Sequence, residues 1–214
     1  MYVKKEFEET RPEVLHQLIR SYPLCTLISH SQMTGLSANH VPFFLRESAA
    51  PMGVLQGHIA RSNPLCGEIA EGIDVLAIFH GPQAYISPSW YASKPIHGRV
   101  VPTWNYAVVH VYGTAHLVEN PEWLRAQLHA LTTENEERFP TPWQISDAPK
   151  DFIEKMMSAI VGVEISITQS LGKWKVSQNQ PGDNQVSVVA GLQSQAQAPT
   201  PMAELVAARI KDPK

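Results

Sequence analysis

Three stretches of this chain gather side chains that are costly to bury without a partner. In Ala38–Leu45 (ANHVPFFL), strand alternation puts His40 and Pro42 on one face and Asn39 on the other. A strand proline marks an edge or a bulge, and His40 taken alone reads as a hydrogen-bonded core or interface histidine. In Leu55–Pro64 (LQGHIARSNP), a strand delivers Gln56, Gly57 and His58 and ends in Ala60, Arg61, Ser62 and Asn63 at a helix start. Free N–H groups, a hydroxyl and a guanidinium converge there, which is the chemistry a phosphate monoester requires. The alternative is that Asn63-Pro64 only caps a helix and Arg61 is a surface charge.

Gly57 leaves room for a flat ring against the strand, whose N–H and C=O groups can pair with the pyrimidine edge of a flavin. The third stretch, His80–Gly113, carries Tyr85, Trp90, Tyr91, Trp104, Tyr106 and Tyr112 among four prolines. Aromatics with a polar tip suit ligand mouths and subunit interfaces alike. His80, His97, His110 and His116 show no HExxH or CxxC spacing, so no metal site is expected. No GxSxG elbow or catalytic cysteine context occurs.

The elements that must position these residues are readable from periodicity. Thr10 and Glu13 form a capping-box spacing ahead of Val14, Leu15, Leu18 and Ile19, which predicts an amphipathic helix. A strand from Pro23 to His30, a turn over Ser31–Gly35 and a strand through Asn39, Val41 and Phe43 predict a hairpin. Further strands are expected over Gly53–Ala60, Asp74–His80, Ala84–Ser87, within Val100–Val118 and over Val161–Thr168, with a short helix after Asn63-Pro64. Asn120-Pro121 opens one helix, and Asp147 another that runs through Phe152, Met156 and Ile160. Short strands joined mostly by tight turns favour an α+β, closed antiparallel barrel over a doubly wound parallel sheet.

With 214 residues, 43% of them hydrophobic, one main domain can bury a sizeable core. A balance of 17 basic against 20 acidic side chains gives a formal charge of -3 and no global attraction to nucleic acid or anionic lipid. Cys25 and Cys66 read as two buried thiols in a reducing compartment. Without an apolar N-terminal core or a run of transmembrane length, a cytoplasmic protein with no membrane contact is expected.

HVPF at His40–Phe43, GHIARSNP at Gly57–Pro64, FHGPQAYISPSWY at Phe79–Tyr91, VPTWNYAVVHVYG at Val101–Gly113 and GKWKVSQN at Gly172–Asn179 together resemble the PaiB-type family of FMN-binding negative transcriptional regulators. The likeness runs in unbroken order to about Leu192, with Val176 where the family usually has leucine. It implies an FMN-binding antiparallel split β-barrel with peripheral helices, related to pyridoxamine-phosphate oxidases, in which two chains build two FMN sites. Domain 1–192 would be the barrel, 193–201 a flexible linker and 202–214 a short C-terminal helix and tail. The resemblance places Asn39, His40, Gln56, Gly57 and His58 along the ring and Arg61 with Ser62 at the phosphate. It brings Trp104, Lys173, Ser177 and Gln178 to the cofactor as well, the GKWKVSQN region, with Trp174, Lys175 and Asn179, closing over the ring from the partner chain; the alternative for that region is a capped turn with two solvated lysines. The oxidases carry an arginine and lysine pair on the strand where this chain has Asn39 and His40. DNA enters as a partner by resemblance only, since no helix-turn-helix or basic patch is seen. An FMN-dependent oxidoreductase using NAD(P)H or a small organic substrate is the alternative function, and a haem-binding split barrel a further one.

Overall fold

The computed structural model describes residues 1–32, 35–47, 52–195 and 200–210. The chain divides into two compact units. The first comprises Met1–Leu15, His80–Val109 and the residues from Leu171 onward; the second comprises His16–Phe79 and His110–Ser170.

The strands are β1 (Glu8–Glu9), β2 (Leu24–Ser31), β3 (Gly35–Pro42), β4 (Phe44–Arg46), β5 (Val54–Ala60), β6 (Ile73–Ile86), β7 (Thr103–Val118) and β8 (Ile160–Lys175). Their hydrogen-bonded order is β3-β2-β6-β7-β8-β5-β4, with β1 added to β8. The pairings β2–β3, β2–β6, β4–β5, β5–β8 and β1–β8 are all antiparallel. The helices are α1 (Pro12–Ser21), α2 (Leu65–Ile69), α3 (Lys94–His97), α4 (Pro121–Glu136), α5 (Lys150–Ser158), α6 (Gly182–Ser194) and α7 (Pro201–Ala207). None of the described helices is long and apolar enough to cross a membrane.

In the second unit the predicted hairpin forms as β2 and β3, with Leu27 opposite Asn39; Met33 and Thr34 of its turn lie outside the described residues. Leu27, Phe43, Leu55, Ile69, Ala77 and Ile165 are fully buried there. Asn120 caps α4 as its type and the following proline predict, its Oδ1 accepting from the N–H of Glu122 at 2.8 Å and of Trp123 at 3.0 Å. Cys25 is buried, which pushes its thiol up to about 12. Cys66, expected to be buried too, is half-exposed on α2.

Several boundaries differ from the sequence expectation. The segments Asp74–His80 and Ala84–Ser87 are one strand, β6, which runs through Gly81 and Pro82. Its ladder with β2 covers only Leu76–Ile78, so Pro82, which has no N–H to donate, stands beyond it. Ile160 belongs to β8 rather than to the preceding helix, and β8 continues past Thr168 to Lys175. Helix α6 forms where no element is expected from periodicity, because burial of Val188 and Leu192 outweighs the poor helix propensity of its Gly, Asn, Ser and Val residues. Gln193 and Ser194 of the expected linker close α6 and Pro201 opens α7; residues 196–199 and 211–214 lie outside the described residues.

In the first unit β1 is only two residues long, and side chains hold it. Glu9 is 5% exposed and its carboxylate accepts from Arg11 Nε at 2.8 Å, Arg11 Nη2 at 2.7 Å and Arg209 Nη2 at 2.6 Å. Hydrogen bonding from Arg11 is the main reason its pKa lies near 2 instead of the usual 4.5; burial pushes the other way, and Arg209 lowers it further. A carboxyl lowered in the fold stabilises it fully above the unfolded value, and that stabilisation is lost as pH falls from about 4.5 through about 2. Glu9→Gln is expected to cost about 1–3 kcal/mol at pH 7 in urea denaturation. The gap to the wild type should narrow steadily between pH 4.5 and pH 2; a gap that does not change with pH shows that the charge on Glu9 is not what holds β1.

Candidate functional site

Strand alternation on β7 and β8 builds one side of a cleft in the first unit. Asn105 and Ala107 are buried, which leaves Trp104 and Tyr106 on the opposite face of β7. On β8, Gly172 and Trp174 are buried, so Lys173 and Lys175 share the other face. Antiparallel pairing sets Glu8 opposite Lys173 and Glu9 opposite Gly172, and this returns the first residues of the chain to the lysines. A Cβ on Gly172 would stand 2.6 Å from the Glu9 carbonyl oxygen and inside the Leu15 side chain, so only glycine admits β1 at this distance.

The resulting cleft of about 500 Å³ is lined by Tyr2, Lys4, Phe7, Thr103, Trp104, Tyr106, Lys173 and Lys175. Among the described residues its lining has three ammonium groups and no carboxylate. Lys173 Nζ lies 5.2 Å from the Tyr106 ring centroid and 6.0 Å from that of Tyr2, and donates to the Tyr2 carbonyl at 3.1 Å. Lys175 Nζ donates to Thr103 Oγ1 and, at 2.9 Å, to the Trp104 carbonyl. Burial lowers the Lys175 pKa, and the neighbouring Lys173 charge acts in the same direction against the opposing influence of Tyr106. Trp104 is 55% exposed and meets Tyr85 edge-on at 5.9 Å between centroids. Such a site favours a flat, partly apolar anion, which would fill the cleft and offset the crowded positive charge.

Ser177 and Gln178 do not line the cleft; they shape the turn after β8. Ser177 is buried with φ at 64°, its hydroxyl oxygen accepting from Asn105 Nδ2 at 2.8 Å and its carbonyl from Gln185 Nε2 at 3.1 Å. Gln178 Oε1 accepts from the Val176 N–H at 2.7 Å, and its Nε2 donates to the Trp174 carbonyl.

In the second unit the corner between β5 and α2 already satisfies most of its own donors. Arg61 Nη2 pairs with Glu119 at 2.8 Å, Nε donates to the Ser158 carbonyl at 3.1 Å and the backbone N–H to the Ala159 carbonyl at 2.9 Å. The N–H groups expected to be free at the helix start are taken: that of Leu65 by Asn63 Oδ1, of Cys66 by the Asn63 carbonyl and of Gly67 by the Pro64 carbonyl. Arg61 and Glu119 are both exposed, so their pair is weak and an incoming anion can compete for the guanidinium. Ser62 is exposed beside it. Asn63 Nδ2 also donates to Asn39 Oδ1 at 3.1 Å, which ties β3 to the corner, while His40 is exposed with Thr26 Oγ1 3.4 Å from its Nδ1.

Along β5, Gln56 Nε2 donates to Glu164 at 2.7 Å, and the Gln127 amide bridges Gln56 and His58. Gln127 Nε2 points at the Gln56 carbonyl, and its Oε1 lies 3.0 Å from His58 Nδ1. Gly57 is buried under Phe43, whose ring stands 2.9 Å from where a Cβ would be. The space its missing side chain leaves is therefore filled by this chain's own phenylalanine.

Thus Trp104 and Lys173 come together in the cleft, whereas Asn39, Gln56, His58, Arg61 and Ser62 belong to the second unit. Tyr2, Lys4 and Phe7 escape a reading of local sequence, since only the β1–β8 pairing brings them to the cleft.

Residues 1–169 match the model of the family described as "Putative FMN-binding domain". The chain is 30% identical over 212 residues to the Bacillus subtilis "Protease synthase and sporulation protein PAI 2", covering 99% of each. It is 31% identical over 228 residues to an uncharacterized protein of Emericella nidulans, covering 91% of each. Among solved structures it resembles a conserved hypothetical protein from Mycobacterium tuberculosis, with a TM-score of 0.60 and 13% identity over 85% of this chain and 94% of that one. The FAD and heme binding protein from Mycobacterium smegmatis gives a TM-score of 0.58 and 17% identity over 78% of this chain and 73% of that one. These two likenesses speak to the fold, a mostly antiparallel sheet with several helices.

Gly57→Ala is expected to drive a methyl group into Phe43 and toward the Pro42 carbonyl. A loss of about 1–3 kcal/mol in urea denaturation should result, and restoring volume with Phe43→Leu in the same chain should recover part of it. An unchanged midpoint for Gly57→Ala contradicts the packing role.

Proposed function

Because this chain belongs to the "Putative FMN-binding domain" family, that of the PaiB-type proteins its motifs resemble, we propose that it binds FMN as a homodimer and acts as a flavin-responsive negative regulator of transcription. The observation that carries the cofactor assignment is the cleft: aromatic walls, three lysines and no lining carboxylate suit a planar ring with an anionic tail. Trp104, Tyr106 and Tyr2 offer surfaces for the ring, and Lys173 and Lys175 donate N–H to its electronegative edge. In the dimer that the resemblance implies, Arg61 and Ser62 of the other copy take the phosphate, the guanidinium leaving Glu119 for a more highly charged partner. FMN, when bound, supplies reversible acceptance of electrons. Burial of Lys175 strengthens its interaction with any negative charge the ring gains.

The regulatory part of the reading is supported by the family resemblance and the Bacillus relative. The lysines beside the ring site favour a second reading, an FMN-dependent oxidoreductase fed by NAD(P)H or a small organic donor, because they stabilise charge on a reduced ring.

Titrating FMN with the purified protein should quench flavin fluorescence to saturation. Lys175→Ala and Arg61→Ala should each weaken binding by about tenfold, as expected for loss of a charge-assisted contact. Retention of full affinity in Arg61→Ala places the phosphate elsewhere, and a Soret band in place of flavin absorption replaces FMN with haem. Anaerobic bleaching of bound FMN by NADH or NADPH supports the enzyme. Salt-sensitive retardation of the protein's own promoter DNA supports direct repression, and its absence at every salt concentration removes it.

A further inference from the structure

The C-terminal residues are tied to the cleft from two sides. Arg209, just past α7, sends its guanidinium to Glu9 at 2.6 Å. Its carbonyl accepts at 3.2 Å from Gln185 Nε2, which also donates to the Ser177 carbonyl at 3.1 Å. Glu9 ends β1, directly after Tyr2, Lys4 and Phe7, which form one wall. Ser177 stands two residues beyond Lys175, and its hydroxyl holds Asn105, which lies between Trp104 and Tyr106 of the other wall. Glu9, Asn105, Ser177 and Gln185 are all buried, where hydrogen bonds are strong and leaving a group unsatisfied is costly. Helix α7 itself is anchored by Met202, Ala203 and Val206, which are at most 2% exposed.

We propose that Glu9 and Arg209 are positioning residues for the cleft, so that docking of α7 sets how firmly the cleft holds a planar anion. The inference rests on the reading of the cleft as a flavin site. Undocking α7 frees the stretch before β1 and loosens the Ser177 turn, so the aromatic walls and the lysines lose their fixed spacing.

The test uses full-length Arg209→Ala, Arg209→Lys and Met202→Asp, well below their melting temperatures, with two measurements. Hydrogen exchange without ligand should quicken over residues 2–9 and 172–178 in Arg209→Ala and Met202→Asp, and Arg209→Lys should restore much of the protection. FMN affinity, read by fluorescence quenching, should fall about tenfold in the same two variants and recover in Arg209→Lys. Unchanged exchange in both disruptive variants overturns the proposal, as does faster exchange with undiminished FMN affinity. If the wild type binds no FMN while exchange responds as expected, the flavin reading fails and the positioning of the cleft stands.

Discussion

The approach of β1 to β8 at Gly172 is the constraint from which the rest of the first unit follows. A two-residue strand has too few ladder hydrogen bonds to fix itself, and here it is set by a glycine that admits it and a buried carboxylate that anchors it. Once Glu8 faces Lys173, the preceding residues close over the lysine face of β8. The aromatic face of β7 supplies the rest of the cleft. Any residue with a Cβ at position 172 meets the Glu9 carbonyl and the Leu15 side chain, and the wall formed by Tyr2, Lys4 and Phe7 is displaced with β1.

Two kinds of cationic site in this chain illustrate what burial does to a charge. Arg61 has the residue type for an anion site, yet it is exposed and already spends its donors on Glu119 and the Ser158 carbonyl. Lys175 is partly buried beside another ammonium and has only neutral oxygens as partners. The first charge is solvated and exchangeable; the second is under electrostatic stress that an anionic ligand relieves. The chain belongs to a family described as FMN-binding, and FMN unites a flat ring with negative charge, which is why we propose it as the occupant of this cleft.

Much of this arrangement was legible in the sequence where the signal is local. Asn120-Pro121 specifies the start of α4 through its cap, whereas Lys173 and Lys175 become neighbours on one strand face only because β8 runs on past Thr168, where the sequence signal for the strand ends. The hairpin of β2 and β3 follows from two β-rich runs around a glycine turn. What is hidden depends on partners remote in sequence. Gly57 looks like room for a ligand until Phe43 is seen to fill it, and the amides at the start of α2 look available until Asn63 and Pro64 are seen to hold them. Helix α6 is set by the burial of Val188, Leu192 and Gln185 and not by its intrinsic preference. Gly81-Pro82 looks like a break between two strands until β6 is seen to run through it, beyond the end of its β2 ladder.

We place the flavin ring in the cleft between the β1 side, the aromatic face of β7 and the lysine face of β8. A crystal structure of the protein with FMN tests it most directly. The ring is expected in van der Waals contact with Trp104 and Tyr106, with Lys175 Nζ within hydrogen-bond distance of it. FMN bound at another surface, with these residues touching no part of it, rules this cleft out as the flavin site.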